Sequence, residues 1–192
     1  GVPDQGMSVP ADAGSVLGAS VAAPSVTAGN GCENLPVTLS VSFPATSGLP
    51  NAGTWPARFP IGISTASWTS VDSRGVPVTV SRSIEIRNEQ LLTLDVNLLG
   101  SVNPGISFTR PMRVRLSSGD VVTVDVAFGG SNGGVVDVAV PARDDYSCVS
   151  VKDSTHTLAS SQAMSVSGTK YVVAEPFALV GGDSNDDNLV DV

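Results

Sequence analysis

The sequence predicts an all-β protein: an antiparallel β-sandwich, immunoglobulin-like or jelly-roll-like, of about nine or ten short strands. Three observations predict it. Apolar residues alternate with polar ones over most of the chain, the period of a half-buried strand. Charged residues are only 15% of the 192, while 20 Gly and 13 Pro supply turns. Val and Ser are the commonest residues, and branched side chains such as Val fit a pleated surface. A chain of this length buries roughly 70% of its unfolded surface, enough for a sizeable core.

The elements follow in order. Residues 1–30 contain no Lys or Arg and are built from small residues. They form an N-terminal extension ahead of a sandwich domain over 31–180, with a separate tail at 181–192. Within the extension, "SVLGASVAAPSVT" is too apolar for a free linker. It alternates as an added or donated strand, with Leu17, Ala19 and Val21 on one side.

In "PVTLSVSFP", Val37, Leu39, Val41 and Phe43 share one face. "SGLPNAGTWPARFP" reads as a loop and "STASWTSV" as an edge strand. "VPVTVSRSIEIR" alternates through Val76, Val78, Val80, Ile84 and Ile86, and "LLTLDVNLLG" through Leu92, Leu94, Val96 and Leu98. "PMRVRLSSGDVVTVDVAF" is a hairpin turning at Ser117–Asp120, and "VVDVAVPA" follows a "GGSNGG" turn. "YSCVSV", "AMSVS", "KYVVA" and "FALV" close the series, and "KDSTHTLASSQAM" alone has room for a short helix.

Charge excludes several functions. The net charge is −8 with 10 Lys and Arg and no basic cluster, so no phosphate row is neutralised and no nucleic acid is expected. No run approaches the ~18 apolar residues of a spanning helix, so no membrane insertion is expected. Cys32 and Cys148 are far apart in sequence; an even count and few Lys favour a disulfide in an extracellular setting, with two separate thiols as the alternative. The sequence opens at Gly1 without a charged and apolar leader, which fits an exported chain whose leader has been removed.

Catalytic signals are weak. His156 is the only histidine, and no Ser sits on a nucleophile elbow. One His and two distant Cys do not make a zinc site. Glu33, Glu85, Glu89 and Glu175 are scattered, and Asp144–Asp145 reads as a solvated turn rather than a glycosidase pair. Only Lys152 and Lys170 are available for a Lys–Asn cross-link. Trp55 and Trp68 are the candidate ligand-facing aromatics, with core packing as the competing role. No enzyme is expected.

The tail carries the clearest motif. In "GGDSNDDNLVDV", Asp183, Asn185 and Asp187 fall at positions 1, 3 and 5 of a calcium loop, Leu189 offers its carbonyl at 7, and Asp191 stands at 9. Position 6 is Asn188 instead of Gly, and no residue stands at position 12. Oxygen ligands at alternate positions suit Ca²⁺ as the expected cofactor. This segment resembles the first half of the calcium repeat that opens a dockerin domain in bacterial secreted proteins. "YSCVSVKDSTHTL" is similar to segments preceding such tails in bacterial surface proteins. The resemblance implies an extracellular or cell-surface location behind a β-sandwich module.

The expected function is therefore a non-catalytic secreted structural protein of the cell surface or matrix. A filament subunit assembling by β-strand donation fits the apolar Ser15–Thr27, with copies of itself or other surface proteins as partners. The alternative is a carbohydrate- or protein-binding module, with polysaccharide as the partner.

Overall fold

The computed structural model describes residues 6–15, 17–29, 34–99, 106–129, 132–153 and 159–181. Those residues are all-β, interrupted only by a 3₁₀ turn at Ala45–Ser47. The all-β prediction holds. The chain divides into two compact units, Gly1–Asn88 and Glu89–Val192.

The first unit contains β1 (Met7–Pro10), β2 (Ala28–Gly29), β3 (Asn34–Leu35), β4 (Thr38–Ser42), β5 (Gly62–Val71) and β6 (Pro77–Arg87). Its main sheet runs β1-β6-β5-β4, and β2 and β3 form a separate ribbon. "STASWTSV", expected at an edge, lies in the central strand β5. Its inward residues Ser64, Ala66 and Ser70 are small, so only Trp68 gives β5 a hydrophobic signature.

The N-terminal extension packs within this unit. Met7–Pro10 adds a parallel strand to β6, pairing with Ile84–Arg87. Ala11, Ala13, Ala19 and Val21 are buried, but Leu17 is 73% exposed and does not share their face. Asp12 is the anchor: its Oδ2 accepts the Ser20 N–H at 2.9 Å and lies 3.3 Å from Arg58 Nη1. The Ala19 and Phe59 backbones exchange hydrogen bonds of 3.0 and 2.8 Å. Gly18 makes this approach possible, since a Cβ there would fall 1.8 Å from the Phe59 carbonyl oxygen.

The second unit contains β7 (Glu89–Leu99), β8 (Phe108–Leu116), β9 (Val121–Phe128), β10 (Gly133–Pro141), β11 (Cys148–Asp153), β12 (Ser160–Ser167), β13 (Lys170–Val173) and β14 (Phe177–Val180). They form one sheet in the order β10-β7-β13-β12-β11-β8-β9, with β14 also on β7. The sheet is nearly closed, barrel-like. A Cβ on Gly134 of β10 would sit 2.7 Å from the Ala127 carbonyl oxygen of β9, so the absence of a side chain lets the two end strands meet. Leu92, Leu94, Val96 and Leu98 face the interior with Phe128 and Phe177. Ser160–Met164, where the sequence allowed a helix, belongs to strand β12.

Candidate functional site

The candidate surface of the first unit lies on the β5–β6 hairpin. Asp72 builds its turn: the Asp72 N–H donates to the Val76 carbonyl at 3.1 Å, and Oδ1 accepts the Arg74 and Val76 N–H groups at 2.9 and 2.8 Å. The strands then pair in an unbroken antiparallel register from Val71↔Pro77 to Gly62↔Ile86.

Register sorts the side chains into two faces. The outer face is a grid of hydroxyls spanning three strands: Thr38–Thr69–Thr79, Ser40–Ser67–Ser81 and Ser42–Thr65–Ser83. Ser67 and Ser81 hydroxyls meet at 2.8 Å, as do those of Thr69 and Thr79. The inner face pairs Ser70 with Val78, Trp68 with Val80, Ala66 with Arg82 and Ser64 with Ile84.

Cover on that inner face is uneven. On β5, Ser64, Ala66, Trp68 and Ser70 are all buried. On β6, Ile84 and Ile86 are buried, but Val78 and Val80 are 61% and 38% exposed. A cleft of about 280 Å³ opens between this part of the hairpin and the β2–β3 ribbon, with Trp68, Ser70, Val78 and Val80 on one wall and Val26 and Leu35 on the other. Three buried side-chain atoms lack hydrogen-bond partners among the described residues: Ser64 Oγ, Ser70 Oγ and Arg82 Nε. All three belong to this face. β1 pairs with the edge of β6 at Ile84–Arg87 and Gly6 lies against Ser83, so Pro77–Arg82 is unpaired on that side among the described residues.

The second unit holds the main cluster of shifted ionisable groups. Asp120, after the β8–β9 turn, accepts the Ser118 hydroxyl at 2.7 Å and pairs with Arg143 Nε at 2.9 Å. The Tyr146 hydroxyl lies 3.2 Å from Asp120 Oδ2 and 3.1 Å from the Pro141 carbonyl oxygen. The Ser118 hydrogen bond, aided by Tyr146 and Arg143, holds the Asp120 carboxyl below its ordinary value against partial desolvation. Burial, reinforced by the Asp120 charge, pushes the Tyr146 phenol up to about 12. Asp137 is likewise lowered, by Lys170 and then by Thr93. These groups tie strands and turns together: Tyr171 donates to the Arg143 carbonyl at 2.9 Å, and the Arg143 N–H donates to Gln90 Oε1 at 3.0 Å. Their chemistry is that of a structural clamp.

The sequence-predicted residues separate. Trp55 and Trp68 come together as a stacked pair with centroids 6.0 Å apart. Neither forms a solvent-facing platform: Trp68 is buried, and Trp55 is half-buried with Nε1 donating to the Val21 carbonyl at 2.8 Å. Trp68 does reach the cleft wall. Cys148 is a free, exposed thiol at the start of β11. The expected disulfide is thus not formed at Cys148, and Cys32 lies outside the described residues. The calcium-loop residues Asp183, Asn185, Asp187, Leu189 and Asp191 also lie outside them, as does His156. Missed from sequence were Ser70, Val78 and Val80, whose alternation matches that of any core strand. No family model, curated protein or solved structure matches this chain.

Proposed function

We propose that this chain is a non-catalytic structural protein of a bacterial cell surface or extracellular matrix, assembling with copies of itself by β-strand pairing. One observation supports the reading above others: a strand edge at Pro77–Arg82 that is unpaired among the described residues and bears the exposed Val78 and Val80. Such an edge is a template for another strand, and soluble proteins usually blunt theirs with charge, bulges or cover. The expected donor, Ser15–Thr27, is held in its own unit through Ala19, Val21 and the neighbouring Asp12 anchor. The β6 edge is therefore the better assembly surface. The resemblance of Asp183–Asp191 to a calcium loop supports the exported setting. Sedimentation across a wide concentration range, with electron microscopy of the same samples, tests the reading. Growth in mass with concentration is expected; a strictly monomeric chain would defeat it.

A second reading, a binding module, rests on Trp68 and the buried Ser70 hydroxyl beside the cleft. Clefts that combine an apolar wall with a few polar groups are the usual form of small-ligand sites. Titration with soluble oligosaccharides should then perturb tryptophan fluorescence, and Trp68→Ala should abolish binding. Indifference to every glycan would remove this reading.

A further inference from the structure

We infer that the self-association surface is β6 itself, pairing antiparallel with β6 of a second copy about a two-fold axis at Val80. This rests on the self-assembly reading and names its interface.

The backbone selects the register. In an antiparallel ladder, residues alternate between bonding their partner and turning their groups away. The Asp72 N–H bond to the Val76 carbonyl closes the hairpin. By alternation, Ser70/Val78 and Trp68/Val80 bond each other across the hairpin, and Pro77, Thr79, Ser81 and Ser83 direct their backbone groups outward. Pro77, which has no N–H to offer, falls on the outward set, where strand prolines are tolerated.

Centring the pairing on Val80 sets Thr79 against Ser81 of the second copy, so both outward residues find bonding partners. Val80 meets its own counterpart at a close, non-bonded position, and Val78 lies opposite Arg82. Like charges are not opposed. About this axis Val80 meets Val80 and Val78 lies beside the aliphatic stem of Arg82 on the inner face, while Thr79 and Ser81 set hydroxyl against hydroxyl on the outer. The hydroxyl grid continues across the junction. An isologous contact of this kind closes on two copies, so longer assemblies require a further surface.

Full-length chain carrying Cys32→Ser and Cys148→Ser provides the background. In it, Val80→Cys should form a reducible dimer on mild oxidation, because directly opposed residues at this spacing satisfy disulfide geometry. Val166→Cys, on the exposed part of β12, is the control and should not. Thr79→Pro removes an outward N–H together with the hydroxyl that meets Thr69, and should weaken association roughly tenfold or more while leaving circular dichroism unchanged. Val78→Lys, which needs no backbone change, should do the same. If the wild type associates but Val80→Cys stays monomeric and both variants assemble normally, the β6 interface is overturned and the assembly reading survives. If the wild type is monomeric throughout, both fall together.

Discussion

The two units solve the same problem differently. Each must bury one face of a sheet and satisfy its edges. The second unit rolls its sheet until β10 approaches β9, and Gly134 permits the contact. Among the described residues, the first leaves the outer edge of β6 unpaired over Pro77–Arg82 and its inner face half-covered, with Ser64 Oγ, Ser70 Oγ and Arg82 Nε buried without partners. In the second, Asp120, Arg143, Tyr146, Gln90 and Tyr171 are joined in a hydrogen-bonded chain. Closure leaves a sheet little to offer a neighbour; an open edge is where association begins.

The largest contrast should appear on truncating matched apolar residues. Phe128 is 1% exposed and Val78 is 61% exposed. Phe128→Ala should destabilise the second unit by about 3–5 kcal/mol. Val78→Ala should change the first by less than about 0.5 kcal/mol when the protein is dilute. Both tryptophans lie in the first unit and both tyrosines in the second, so denaturant curves read by each fluorescence report the units separately. Equal losses would mean that the β6 face is covered in solution.

The closure itself can be broken next. Gly134→Ala brings a methyl group to 2.7 Å from the Ala127 carbonyl oxygen and Val126 Cγ1. The end strands must part, at about 1–3 kcal/mol. Gly75, which has open space around it, is the control, although its φ of 78° adds strain to any substitution there. Hydrogen exchange should accelerate at β9 and β10 in Gly134→Ala alone.

Alkali and acid test the clamp. The Tyr146 phenol is raised in the folded chain, so it binds its proton more tightly folded than unfolded. The resulting stability is present below pH 10 and is lost as pH rises from about 10 to about 12. Asp120 is depressed, so its contribution is present above its unfolded value of 3.8 and fades as pH falls through its lower folded value. Tyr146→Phe should flatten the alkaline limb and cost about 1 kcal/mol at neutral pH. Asp120→Asn should flatten part of the acid limb. No change in either limb would show that the clamp contributes no linkage.

Legibility in sequence was as uneven as the structure. Leu92, Leu94, Val96 and Leu98 alternate and are buried, and the turn at Ser117–Asp120 stands between β8 and β9. The break between units was invisible because "IEIRNEQLL" crosses it without Gly or Pro: β6 ends at Arg87 and β7 begins at Glu89. The open face was hidden for another reason. Alternation reports which side of a strand a residue occupies, not whether anything covers that side. Val76, Val78 and Val80 therefore read like Ile84 and Ile86, yet only the last two are buried. β5 escaped recognition as a central strand because three of its buried residues are Ser64, Ala66 and Ser70.

The smallest effect carries the opposite sign. A buried hydroxyl without a partner has lost its water and gained nothing in return. Ser70 is 8% exposed, and its Oγ has no hydrogen-bond partner among the described residues. Ser70→Ala removes that hydroxyl and leaves the Cβ in place beside Val78. The first unit should be unchanged or gain up to about 1 kcal/mol. Tyr146→Phe in the second unit deletes a hydroxyl that does have partners, and it should lose a similar amount. Opposite signs from two hydroxyl deletions would locate the unfinished polar pairing in the first unit alone. A loss on Ser70→Ala would instead mean that the hydroxyl is already bonded in solution, by water or by a second chain at the β6 edge. Repeating the measurement at concentrations where β6 is paired separates the two, because only the bond to a second chain depends on concentration.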